Sequence, residues 1–143
     1  MRRIEKSRIL FLDLGPILKL LQFDGEDYPV ISRVLDLAYE RQIQMVVSPV
    51  TFHEVSALAF AKNELLARQF KEFFTRSRSL LMREIDADVA MAAAEIRSKH
   101  NLPLDQALQL GTAYVAGADT IFTLNDSWRS YTSAEIVTVE DLR

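Results

Sequence analysis

Ile9-Leu10-Phe11-Leu12-Asp13 is a run of four apolar residues closed by a carboxylate, and how it is read decides the fold. Unbroken rather than alternating apolarity is the pattern of a strand buried on both faces, as in a parallel sheet covered by helices on either side. Working outward, Met45-Val46-Val47, Leu80-Leu81-Met82, Thr120 to Leu124 and Ile136 to Val139 read as four further short strands. The segments between them have helical spacing. Gly15-Pro16 reads as punctuation after the first strand, and Ile17 to Phe23 as a short helix stopped by the acidic turn Asp24-Gly25-Glu26-Asp27. Pro29 to Gln42 is a second helix. Ser48-Pro49 is a start signal, with Ser as cap and Pro at the first helical position. Val50 to about Thr75 follows as two helices broken near Lys62-Asn63. Asp86 to His100 and Leu104 to Ala116 complete the set, the last stopped by Gly117. Strands alternating with helices or helix pairs predict an α/β fold: a three-layer α/β/α sandwich around a parallel sheet of four or five strands, with residues 1–143 as one domain.

Composition narrows the chemistry. The chain has 17 basic and 20 acidic residues, a net charge of −3 and no cysteine. Disulfides, thiolate zinc sites, iron–sulfur clusters and a cysteine nucleophile are therefore excluded, and any metal must sit on oxygen or on the two histidines. His53-Glu54 has no second His four residues on, so the zincin pattern fails. Only Gly15, Gly25, Gly111 and Gly117 are present, with no Gly-rich phosphate loop. The longest run free of Asp, Glu, Lys and Arg, Gln106 to Ala118, falls short of the ~20 residues that span a bilayer. No signal-peptide pattern follows the N-terminal arginines, so the expectation is a cytoplasmic protein that does not engage a membrane.

In such sheets the active crevice lies outside the carboxyl ends of the strands. Four acids fall there by sequence position: Asp13 after the first strand, Glu54 in the helix after the second, Asp126 after the fourth, and Asp105 opening the helix that leads to the fourth. Structural readings stand beside each functional one. Thr51-x-x-Glu54 fits a capping box, Asp105 complements a helix dipole, and Asp126 fits a turn. Asp13 is the hardest to explain that way, since a carboxylate between Leu12 and Leu14 costs several kcal/mol to desolvate unless a cation or several donors meet it. Four carboxylates converging on one edge would call for a hard divalent cation, Mg²⁺ or Mn²⁺. A haloacid-dehalogenase-type site would need a second Asp where Gly15 stands, and a receiver-like site a late Lys, whereas no Lys follows Lys99.

Three segments together resemble the PIN-domain family, particularly VapC-like toxin ribonucleases. They are Ile9 to Asp13, Ser48-Pro49-Val50-Thr51-Phe52-His53-Glu54-Val55, and the stretch from Ala94 through Gly117-Ala118-Asp119 to Asn125-Asp126. The resemblance implies a metal-dependent endoribonuclease that hydrolyses RNA phosphodiester bonds, the toxin of a toxin–antitoxin pair. Asp13, Glu54, Asp105 and Asp126 would be its catalytic residues and ligands to Mg²⁺ or Mn²⁺, with RNA as substrate and an antitoxin protein as partner. It also implies a homodimer, for which the apolar residues of Ala57 to Phe74 (Leu58, Phe60, Leu65, Leu66, Phe70, Phe73 and Phe74) exceed one narrow stripe. Three positions depart from the family pattern. Leu14-Gly15 follows the first Asp in place of hydroxyl residues. Gln106 stands where the third acid belongs, with Asp105 one residue upstream. Thr123-Leu124-Asn125-Asp126 carries one extra residue. The alternative reading is thus a catalytically silent PIN-like module that binds a protein partner or RNA.

Overall fold

The computed structural model describes residues 1–21 and 25–143. Five strands, β1 (Ile9–Leu12), β2 (Gln44–Val47), β3 (Leu80–Met82), β4 (Thr120–Phe122) and β5 (Glu135–Val137), form one parallel sheet in the order β3-β2-β1-β4-β5. The helices are α1 (Arg2–Glu5), α2 (Leu14–Leu20), α3 (Tyr28–Glu40), α4 (Pro49–Lys62), α5 (Glu64–Arg76), α6 (Ala87–His100) and α7 (Leu104–Val115). The three-layer α/β/α sandwich read from the sequence is the fold observed.

Strand parity sorts the core. Leu10, Leu12, Val47 and Phe122 point to one face, where they pack with Ile31, Val34, Val55 and Phe74 from α3, α4 and α5. Phe11, Val46 and Ile121 point to the other, against Ala93 of α6 and Ala107, Leu110 and Ala113 of α7. Trp128, fully buried in the 3-10 turn Asp126–Ser130, closes this second core. Helices α6 and α7 approach closely because Gly111 has no Cβ: one placed there would meet the Ala93 amide nitrogen at 2.8 Å. Gly117, at φ +74°, ends α7 with paired bonds from Gly117 N to the Tyr114 carbonyl (3.1 Å) and from Ala118 N to the Ala113 carbonyl (3.0 Å).

Local signals set the boundaries. Ser48 Oγ accepts from the amides of Val50 (3.1 Å) and Thr51 (3.3 Å), and Asn63 Oδ1 accepts from Leu66 N (2.7 Å), which is why the long helical stretch breaks there. One boundary differs from expectation. α2 starts at Leu14, directly after Asp13, and runs through Gly15-Pro16, because Pro in the first turn loses no intrahelical hydrogen bond. The expected end of that helix at Phe23 and the first residue of the acidic turn, Asp24, lie outside the described residues. Strands β4 and β5 end earlier than expected, at Phe122 and Val137.

Candidate functional site

Register brings the site together. β1 pairs with β4 so that Leu12 lies beside Phe122, which makes Asp13 and Thr123 the next pair beyond the strand ends. Both share the parity of Phe11 and Ile121 and so face α7. Asp13, 4% exposed, accepts from Gln109 Nε2 on Oδ1 (3.0 Å) and from Thr123 Oγ1 (2.7 Å) and Asn125 Nδ2 (3.3 Å) on Oδ2. The Leu14 backbone amide is a further donor. Gln109, 3% exposed in the middle of α7, also donates to Thr51 Oγ1 (2.9 Å), and its Oε1 accepts from Ser48 Oγ. Six side chains from the end of β1, the start of α4, α7 and the loop after β4 thus form one buried polar network. Burial pushes the Asp13 carboxyl above its ordinary value, and the hydrogen bonds from Thr123, Gln109, Leu14 and Asn125 only partly oppose it.

The other acids singled out from the sequence do not join this network. Glu54 is exposed on α4, its Oε1 3.6 Å from His53 Nδ1. Asp105 is exposed in the first turn of α7. The next residue, Gln106, accepts from Trp128 Nε1 (3.2 Å). Asp126 is exposed and held by Arg129 Nε at 2.7 Å, while Arg129 also bonds Asp141 (2.6 Å) and the Ile136 carbonyl (2.8 Å). Among the described residues no three His, Asp or Glu side chains form a group that could hold a metal ion, so Asp13, Glu54, Asp105 and Asp126 do not stand as a ready-made cluster. The physical causes are local. Asp105 is four residues before Gln109 and so near its helix face, but it stands in the exposed first turn of α7, a full turn short of the buried network. Asp126 has a cationic partner of its own. Tested against the divalent cation that the family resemblance implies, this donor set does not fit.

Sequence reading missed Gln109, Thr123 and Asn125 as functional positions. The signal was the charge-free run Gln106 to Ala118. Ala107 and residues 109 to 113 of α7 are all buried, and a polar side chain on such a helix needs a partner.

On the opposite face of the sheet a groove of about 680 Å³ lies between α2, α3 and α5, lined by Leu12, Ile17, Leu20, Val55, Phe70 and Phe73 among others. Leu12 is the chain neighbour of Asp13, so the groove and the polar network lie on opposite faces of the sheet at the end of β1. Phe73 is 59% exposed at its edge. Leu58, Phe60 and Leu65 also remain exposed, whereas Phe74 turns into the core. Among the described residues no helix is long and apolar enough to cross a membrane.

A parallel sheet in this order, with a buried Asp at the carboxyl end of its central strand, defines the class of protein. The PIN domain profile matches residues 10–133, most of the chain, and the protein belongs to the PIN domain family. No curated protein sequence matches it. Among solved structures it is similar to VapBC2 from Rickettsia felis bound to a fragment of promoter DNA, with a TM-score of 0.71, 14% identity, and coverage of 91% of this chain and 98% of that one. A toxin–antitoxin complex from Klebsiella pneumoniae gives a TM-score of 0.66 and 20% identity over 91% and 97% of the two chains. VapC20 of Mycobacterium tuberculosis, a toxin that cleaves the sarcin–ricin loop, gives 0.67 and 14% over 88% and 98%. At these identities the likeness is one of fold.

Proposed function

We propose that this PIN-domain protein is one half of a two-protein pair of the toxin–antitoxin type and that it binds a small protein partner through the groove behind Asp13. The groove of about 680 Å³ carries this reading. It is apolar, and its rim extends onto the exposed ring of Phe73. Concentrated apolar surface of this kind marks interaction sites in proteins that are otherwise polar outside. The fitting occupant is an apolar helical or extended segment of the partner. The Klebsiella neighbour, solved as a toxin–antitoxin complex, supports a protein partner for this fold. The test is co-expression with the product of the adjoining reading frame and measurement of the complex by size exclusion. Phe73→Asp should abolish the complex while the free chain keeps its melting temperature. A complex that withstands Phe73→Asp, or no complex at all, defeats the proposal.

A second reading is metal-dependent RNA hydrolysis, with Asp13, Glu54, Asp105 and Asp126 as the functional acids and Mg²⁺ or Mn²⁺ as cofactor. One observation favours it. Thr51, one turn before Glu54, is tied through Gln109 to Asp13, so the start of the helix that carries Glu54 is fixed to Asp13. Incubation of the purified free chain with structured RNA and Mn²⁺ decides this reading: cleavage that disappears in Asp13→Asn supports it, and intact RNA removes it.

A further inference from the structure

We infer that Gln109 closes the carboxyl edge of the sheet to divalent cations, its carboxamide standing where a cation would have to meet Asp13. The argument begins with valence. An ionised carboxylate offers about four lone-pair sites. Asp13 has four donors: Gln109 Nε2, Thr123 Oγ1, Asn125 Nδ2 and the Leu14 amide. A Mg²⁺ or Mn²⁺ ion at Asp13 would have to displace at least one of them.

Displacement is costly here because the donors are themselves committed. Gln109 Nε2 is shared with Thr51 Oγ1 (2.9 Å), and its Oε1 accepts from Ser48, whose oxygen already caps α4. Moving the amide aside would take from the Ser48 hydroxyl proton its acceptor and from Thr51 Oγ1 its donor, both residues fully buried, and a buried polar group that loses its partner costs more than a bond between partners gains. Among the described residues every buried side-chain nitrogen and oxygen already has a partner.

The neighbours of Asp13 supply no charge that would repay a cation. Its donors Gln109, Thr123 and Asn125 are neutral, and Gln106, one turn before Gln109, is engaged by Trp128. Asp126 already holds Arg129. Hard divalent ions select carboxylate-rich oxygen sets, whereas this edge offers one buried carboxylate among amides and hydroxyls. The network is therefore a strut that joins β1, α4, α7 and the loop after β4. Gln109 is its hub.

This inference does not rest on the partner-binding proposal, since it is read on the free chain. The first measurement is on the unaltered protein: melting in EDTA against millimolar Mn²⁺, with Mn²⁺ paramagnetic resonance to count bound ions. No saturable rise in melting temperature and a free-ion spectrum are expected. A saturable rise that Asp13→Asn removes would overturn the inference. The second measurement uses Gln109→Glu, which keeps the side chain's shape and replaces the amide donor with a second carboxylate facing Asp13 Oδ1. It should melt below the parent in EDTA and recover by about 5 °C or more in Mn²⁺, as a ligand bound only by the folded state requires. A folded Gln109→Glu indifferent to Mn²⁺ would overturn the role given to Gln109. Should that variant not fold, Gln109→Asp, a shorter side chain that supplies the same second carboxylate, takes its place with the same expected direction and the same overturning result.

Discussion

Two aspartates mark opposite ends of the parallel sheet, and each accepts four hydrogen bonds from neutral donors. Asp119 precedes β4 at the amino edge and receives Ser7 Oγ (2.7 Å), Thr120 Oγ1 (2.8 Å) and the amides of Arg8 (2.9 Å) and Ile9 (3.3 Å). Asp13 follows β1 at the carboxyl edge and receives Gln109, Thr123, Asn125 and the Leu14 amide. Their carboxyl groups nevertheless shift in opposite directions. At Asp119 partial burial pushes upward but Ser7, Arg8, Thr120 and Ile9 outweigh it, so the group is held below its ordinary value. At Asp13 burial outweighs its donors and the group is raised. The number of donors is the same; access to water decides. Asp119 is exposed and acts as a charged staple between the start of β1 and the start of β4. Asp13 is enclosed and acts as one member of a buried polar network.

The sharpest way to break this contrast is to remove the hub of the buried network. Gln109→Leu keeps the volume but leaves Asp13 Oδ1, Thr51 and Ser48 each without a side-chain partner, in a part of the structure closed to water. Losing several bonds of one buried network should cost about 3 kcal/mol or more, read as the shift in denaturation midpoint at constant slope. A loss under about 1 kcal/mol would mean that water replaces the amide and that the enclosure is not as tight as drawn.

Next in size is Asp13→Asn. The new amide must present NH₂ to Gln109 Nε2, a donor, or to Thr123, whose Oγ1 already accepts from the Asn125 amide at 3.0 Å. A loss of about 1–3 kcal/mol is expected. Its pH dependence identifies the cause. A carboxyl whose folded pKa is raised contributes stability that is fully present below its unfolded pKa and is lost as pH rises through the folded one. Parent stability thus declines over that window relative to the variant, and the gap between them should be widest in acid and narrow toward neutral pH. Asp86, Asp119 and Asp141 have lowered values and opposite slopes, but they are common to both proteins and cancel in the difference. A gap that widens toward neutral pH would show that Asp13 is stabilised as a carboxylate.

Much of this was legible in the chain itself. Ile9 to Leu12 declared a doubly covered strand, and the cap signals at Ser48, Asn63 and Gly117 act as their residue types demand. Asp13 announced a desolvation problem with two solutions, a cation or several donors, and the sequence did not choose between them. The choice turns on Gln109 and Thr123, separated from Asp13 by 96 and 110 positions, which only the β1–β4 register and the seating of α7 against the sheet bring within reach. Asp105 and Asp126 were placed correctly along the chain, but Asp105 stands in the exposed first turn of α7 and an Arg three residues on claims Asp126. Asp119 was visible only as part of a family segment, since its donors begin 112 residues earlier.

Asp119→Asn should have the smallest effect of the three and the opposite pH signature. Its carboxylate is exposed and screened by solvent, so deleting the charge should cost less than about 1 kcal/mol at neutral pH. A lowered folded pKa contributes stability that is present above the unfolded pKa and lost as pH falls through the folded one. The gap between parent and Asp119→Asn should therefore be widest near neutral pH and close in acid, the reverse of the Asp13→Asn profile. Parallel denaturation series for the two variants, each subtracted from the parent across the acid range, would display the two profiles directly. If both gaps moved in the same direction with pH, enclosure from water would not be what separates the two ends of the sheet. Donor identity would then have to replace it: side-chain amides at Asp13 against backbone amides and hydroxyls at Asp119.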